Sequence, residues 1–152
     1  MLHREIQNAD EMRLFAAEFT AALAPGASAA RVVALSGELG AGKTTFTQAA
    51  AKALGVTDTV NSPTFVIQKI YKLPLDSARV ENKFSRLIHI DAYRLKSAEE
   101  LQHLGWSEIV ADPANLIIIE WPEHVEGAIP QDAHCISIAI GEGEERTVRY
   151  GN

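Results

Sequence analysis

The chain has 152 residues, 47% of them apolar and 22% charged, which excludes disordered, collagen-like and mucin-like classes and leaves an ordinary folded domain spanning residues 1–152. A formal net charge of −6 argues against a surface that grips nucleic acid directly, and a single cysteine, Cys135, excludes an internal disulfide or a multi-cysteine zinc site. No apolar run reaches the ~18 residues of a membrane span, and Glu5, Asp10, Glu11 and Glu18 interrupt the region where an export signal would need a continuous apolar segment. The expectation is a cytoplasmic protein with no membrane association.

Met12, Phe15, Phe19 and Leu23 recur at helical spacing, so a helix is predicted over about Ala9–Leu23, with Asn8 as its N-cap and Glu11 in capping-box position. Pro25 and Gly26 end it. Val32–Leu35 then has the length and β-branched character of a strand, and Lys43–Leu54 reads as a second helix stopped by Gly55. Thr64–Tyr71 has strand character, while Leu87–Ile90 and Leu116–Ile119 are aliphatic runs suited to strands covered on both faces.

Ser97 and Glu100 form the S-x-x-E pattern that opens a short helix, ending near Gly105. His134–Ile140 and Thr147–Tyr150 pair as a hairpin around Gly141-Glu142-Gly143, with Cys135 read as a small buried apolar side chain; Leu73–Ser85 and Glu123–Asp132 read as loops. Together these elements predict an α/β fold with a mostly parallel central sheet flanked by helices and antiparallel edge strands.

The most informative segment is Gly37-Glu38-Leu39-Gly40-Ala41-Gly42-Lys43-Thr44, a complete G-x-x-x-x-G-K-[ST] pattern between a predicted strand and a predicted helix. Its glycines allow consecutive backbone amides to wrap a diphosphate at a helix N-terminus. Lys43 would place an ammonium between the β- and γ-phosphates, Thr44 would ligate Mg²⁺, and Thr45 would face the α-phosphate.

Two carboxylates complete a phosphoryl-transfer constellation. Asp91 ends one aliphatic run and Glu120 another, at the strand ends beside which open α/β sheets bind ligands. Ser62-Pro63-Thr64 follows at the distance of a switch loop, with Thr64 as its metal-facing residue. A GTP switch and a small-molecule kinase share parts of this pattern. However, Asn82-Lys83-Phe84-Ser85 lacks the aspartate of a guanine site, Asp91-Ala92-Tyr93-Arg94 lacks the glycine of a D-x-x-G switch, and no arginine-bearing lid is evident.

The set GELGAGKTT (37–45), NSPTF (61–65), HIDAYRL (89–95), EEL-x-x-LGW (99–106) and IEWPE (119–123) resembles the TsaE family, formerly YjeE, the ATPase subunits of bacterial tRNA threonylcarbamoyladenosine biosynthesis. The resemblance implies a P-loop NTPase fold and hydrolysis of ATP with Mg²⁺ in support of two partner proteins, TsaB and TsaD, with tRNA reached only through them; the lack of an obvious arginine finger apart from Arg94 predicts that the isolated chain hydrolyses slowly. It implies that Thr44 and Glu120 hold Mg²⁺, with Asp91 at the metal or the attacking water, and that Trp121 lies near the nucleotide. It also implies an adenine site near the N-terminal segment, at Asp10 or Glu11, and near a C-terminal arginine such as Arg146.

Overall fold

The structure is a computed structural model that describes residues 1–57, 60, 66–74 and 84–151. Its centre follows from the three aliphatic runs, which form β2 (Arg31–Gly37), β4 (Arg86–Asp91) and β5 (Asn115–Glu120). These strands are buried on both sides, so their outward-pointing positions are apolar too: Val33 and Leu35 face one cluster while Val32 and Ala34 face another. On the first face lie α1 (Ala9–Ala21) and α2 (Lys43–Ala53), contributing Met12, Phe15, Phe46 and Ala50. On the second lie α3 (Ala98–Gln102) and α4 (Trp106–Ala111), contributing Leu101 and Trp106. Phe46 is 1% exposed, and its truncation to alanine would cost about 3–5 kcal/mol.

The remaining strands are β1 (Leu2–Ile6), β3 (Gln68–Lys72), β6 (His134–Ile140) and β7 (Arg146–Gly151), and the sheet order is β1-β7-β6-β2-β5-β4-β3. β2 pairs in parallel with β5 and β6, and β4 with β5; β3, β7 and β1 join by antiparallel pairing. The expected parallel centre with antiparallel edges is present, although parallel and antiparallel interfaces are equal in number, three of each.

Several local expectations are corrected. β1 was unforeseen because only Ile6 of its five residues is buried. The strand expected from Thr64 begins at Gln68: Val66 and Ile67 form a turn in which Ile67 has φ 67°, and Thr64 itself lies outside the described residues. Where Glu123–Asp132 was expected as loop, Pro122–Ala128 forms two short 3-10 turns that kink at the buried, non-helical Val125. The α1 cap is as expected at Asn8, whose Oδ1 accepts from the Glu11 amide at 2.9 Å. Ser97 makes no such side-chain bond, although the Glu100 carboxylate accepts from the Lys96 amide at 2.7 Å. Cys135 is exposed because its neighbours Ile136 and Ile138, not Cys135, occupy the inward phase of β6.

Candidate nucleotide-binding site

The alternation of β4 and β5 decides what stands at the mouth of α2. With period-two side chains, Leu87, His89 and Asp91 share one face of β4, and Leu116, Ile118 and Glu120 share the same face of β5. Leu87, Leu116 and Ile118 belong to the cluster under α1 and α2, so that face ends in two carboxylates beside the N-terminus of α2. The register pairs Asp91 with Glu120 directly.

Gly37–Gly42 connects β2 to α2, and its glycines have specific tasks. A Cβ at Gly37 would lie 2.9 Å from the Ile138 carbonyl oxygen and 3.1 Å from the Ala41 Cβ, so only glycine lets the loop leave β2 this close to β6. Gly42 is the N-cap of α2 at φ 114°, a left-handed geometry that a side chain would strain. α2 therefore starts with no side-chain cap, and its first amides remain open to an anion.

A cleft of about 340 Å³ opens here, lined by the sequence-predicted Leu39, Gly40, Gly42, Lys43, Thr44, Thr45, Asp91, Glu120 and Trp121, together with Tyr93. Lys43 is only 6% exposed. Its ammonium donates to the Gly37 carbonyl and lies 3.8 Å from the centroid of the Trp121 ring. Burial lowers the Lys43 pKa from its ordinary value, and the nearby Glu120, Asp91 and Glu123 carboxylates partly offset that. This is a cation withdrawn from water without a carboxylate in ion-pair contact among the described residues, a state that an incoming polyphosphate would relieve.

Glu120 is held from the neighbouring strand. His89 Nε2 and Glu120 Oε2 share a hydrogen bond of 2.5 Å, and the two side chains are 1% and 3% exposed. Among the described residues, His89 Nδ1 is buried with no hydrogen-bond partner. Sequence reasoning missed this pairing, which depends on the β4–β5 register. The Asp91 Oδ1 accepts from the Tyr93 amide at 3.0 Å, closing a turn at the end of β4.

Trp121 has φ 57°, an unusual backbone for a bulky residue, and such strain clusters at functional sites. Its ring packs 5.1 Å from Tyr93 and 5.6 Å from His124, forming an aromatic rim on the cleft.

A second, smaller cleft of about 130 Å³ shares Gly40, Gly42 and Thr45 with the first and reaches toward Ile6, Asn8, Ala9 and Met12. Ala41 and Arg146 line it. Glu11 does not: its carboxylate accepts from the Gln7 amide at 2.7 Å, so it serves the start of α1. Glu38 instead borders a groove with Glu123 and Ser137 on the β6 side.

The donors present fit magnesium: a hydroxyl and two carboxylates are hard oxygen ligands. Among the described residues no group of three His, Cys, Asp or Glu could hold a metal ion.

The strand–glycine loop–helix unit, the strand order and the paired carboxylates define a protein of the P-loop NTPase fold. A family model described as "Threonylcarbamoyl adenosine biosynthesis protein TsaE" matches residues 6–148, and the chain belongs to that family. The tRNA threonylcarbamoyladenosine biosynthesis protein TsaE of Bacillus subtilis is 38% identical over 138 residues, 88% of this chain and 75% of that one. Its counterpart in Rickettsia bellii is 31% identical over 148 residues, 97% of this chain and 92% of the relative. The crystal structure of Bacillus subtilis YdiB superposes with a TM-score of 0.75 at 30% identity, covering 98% of this chain and 83% of that one.

Proposed function

We propose that this chain binds and hydrolyses Mg-ATP as the ATPase subunit of the tRNA threonylcarbamoyladenosine machinery, acting in the cytoplasm with TsaB and TsaD and reaching tRNA only through them. The observation that carries the reading is the convergence of the buried Lys43 ammonium with Glu120, Asp91 and Thr44 on one cleft at the uncapped start of α2. The relatives' names support the pathway.

In this reading the amides of Gly40, Gly42, Lys43, Thr44 and Thr45 receive phosphate oxygens, and Lys43 leaves the Trp121 ring to neutralise the β- and γ-phosphates. Thr44 and Glu120 would hold Mg²⁺, which supplies charge neutralisation of the phosphates when bound. Asp91, at the same height on β4, orients the metal shell or the attacking water, and Thr64 contributes from the switch segment. The smaller cleft takes the adenosine, with Asn8, Ala9 and Met12 against it.

Isolated hydrolysis is expected to be slow. The test is phosphate release from ATP and GTP, with and without TsaB and TsaD, in wild type, Lys43→Ala and Glu120→Ala. Lys43→Ala should weaken nucleotide binding by about ten- to a hundredfold, while Glu120→Ala should lose turnover more than affinity. Wild-type hydrolysis in both variants would defeat the reading.

A further inference from the structure

Arg146 stands at the start of β7, and every hydrogen bond recorded for its guanidinium goes to a backbone carbonyl. Nε donates to Ala41 O and Nη2 to Gly40 O, both at 3.1 Å; Nη1 donates to Gly143 O at 2.8 Å and Glu145 O at 2.7 Å. One planar fork thus ties the phosphate loop to the β6–β7 turn, across more than a hundred residues of sequence.

The consequence follows from the peptide plane. In a trans peptide the C=O of one residue and the N–H of the next point in opposite directions. Pinning Gly40 O and Ala41 O therefore aims the amides of Ala41 and Gly42 away from Arg146. The Ala41 amide closes the loop by donating to Glu38 O at 3.0 Å, and the Gly42 amide has no backbone acceptor among the described residues. A guanidinium suits this task because its donors are fixed in one plane, whereas an ammonium is a point charge that cannot span the same set.

We propose that Arg146 is a positioning residue that holds residues 40–42 in the phosphate-receiving shape before any nucleotide arrives, through carbonyls rather than by contacting the base. This deepens the proposed function and rests on its reading of the loop as a polyphosphate site. It also reassigns Arg146 from the adenine contact expected from the sequence.

The test is calorimetric titration of wild type, Arg146→Lys and Arg146→Gln with ADP and with inorganic pyrophosphate, with thermal unfolding of each variant recorded without ligand. Positioning predicts that both substitutions weaken ADP and pyrophosphate by the same factor, at least about tenfold, and that Lys rescues no better than Gln. Loss of ADP affinity with unchanged pyrophosphate affinity would overturn the proposal in favour of a base contact. Full rescue by Lys would overturn it in favour of simple charge. Should either variant fail to fold, amide exchange in the wild type decides: the proposal predicts that Ala41 is protected before nucleotide is added, and exchange at the unprotected rate until nucleotide binds would overturn it. If wild type binds neither ADP nor pyrophosphate, the reading of the loop itself fails, an outcome distinct from wild-type binding that Arg146 substitutions leave untouched.

Discussion

The His89–Glu120 pair makes a quantitative claim about how the site is built into the fold. The two side chains are almost fully buried, and their contact is 2.5 Å long. Replacing His89 by Leu leaves the buried Glu120 side chain without its hydrogen-bond partner, and an unsatisfied buried polar group costs about 1–3 kcal/mol. In a domain of this size each kcal/mol moves the unfolding midpoint by about 2–4 °C, so the variant should melt roughly 2–12 °C below wild type. Replacing both partners by Leu removes the two polar groups together, which is often close to neutral. The double variant should therefore be more stable than His89→Leu alone, although loss of Glu120 also removes one of the carboxylates that favour the buried Lys43 charge. The assay is urea unfolding of the four members of the cycle without nucleotide. A coupling of at least about 1.5 kcal/mol is expected; additivity within about 0.5 kcal/mol would refute the pairing.

Lys43 predicts a pH dependence of the nucleotide-free protein. Burial lowers its pKa below the unfolded value of 10.5, so between the folded and unfolded pKa the unfolded chain binds more protons, and this contribution to stability rises with pH through that window. Urea midpoints taken upward from neutral pH should show this rise in wild type relative to Lys43→Met; identical pH profiles would contradict the assignment. Gly37→Ala should cost about 1–3 kcal/mol, because its new Cβ meets the Ile138 carbonyl at 2.9 Å. Thermal unfolding checks this, and an unchanged midpoint would show that the loop does not depend on that approach. Asn8→Ala should cost about 1 kcal/mol through the lost bond to the Glu11 amide, whereas Asn8→Asp should retain most of it, as measured by chemical denaturation.

What was legible in the sequence is what depends on local pattern. The aliphatic runs of β2, β4 and β5 and the apolar faces of α1 and α2 carry periodicities that decide burial before any partner is known, and the glycine-lysine motif announces its own geometry. β1 carries too little apolar signal, and α4, with Trp106 as its only buried residue, is too short to show a helical period. The 3-10 turn after Glu120 depends on Trp121 taking a left-handed backbone that its residue type disfavours.

The site divides in the same way. Lys43, Thr44, Asp91 and Glu120 were found because each sits at a recognisable strand or helix end, and they line one cleft. His89 could not be paired with Glu120 without the register of two parallel strands, and Arg146 could not be aimed at Gly40 and Ala41 without knowing that the β6–β7 hairpin ends beside the loop. Glu11 illustrates the converse, since its capping-box position was visible and its carboxylate is used at the entrance to α1 rather than in the smaller cleft.

The most direct measurement of the central claim is calorimetric titration of Mg-ATP into wild type and Lys43→Ala, both verified as folded. Loss of a charged hydrogen-bond donor to the phosphates predicts affinity lower by about ten- to a hundredfold in the variant. Equal affinity in the two proteins would place the nucleotide somewhere other than the loop between β2 and α2.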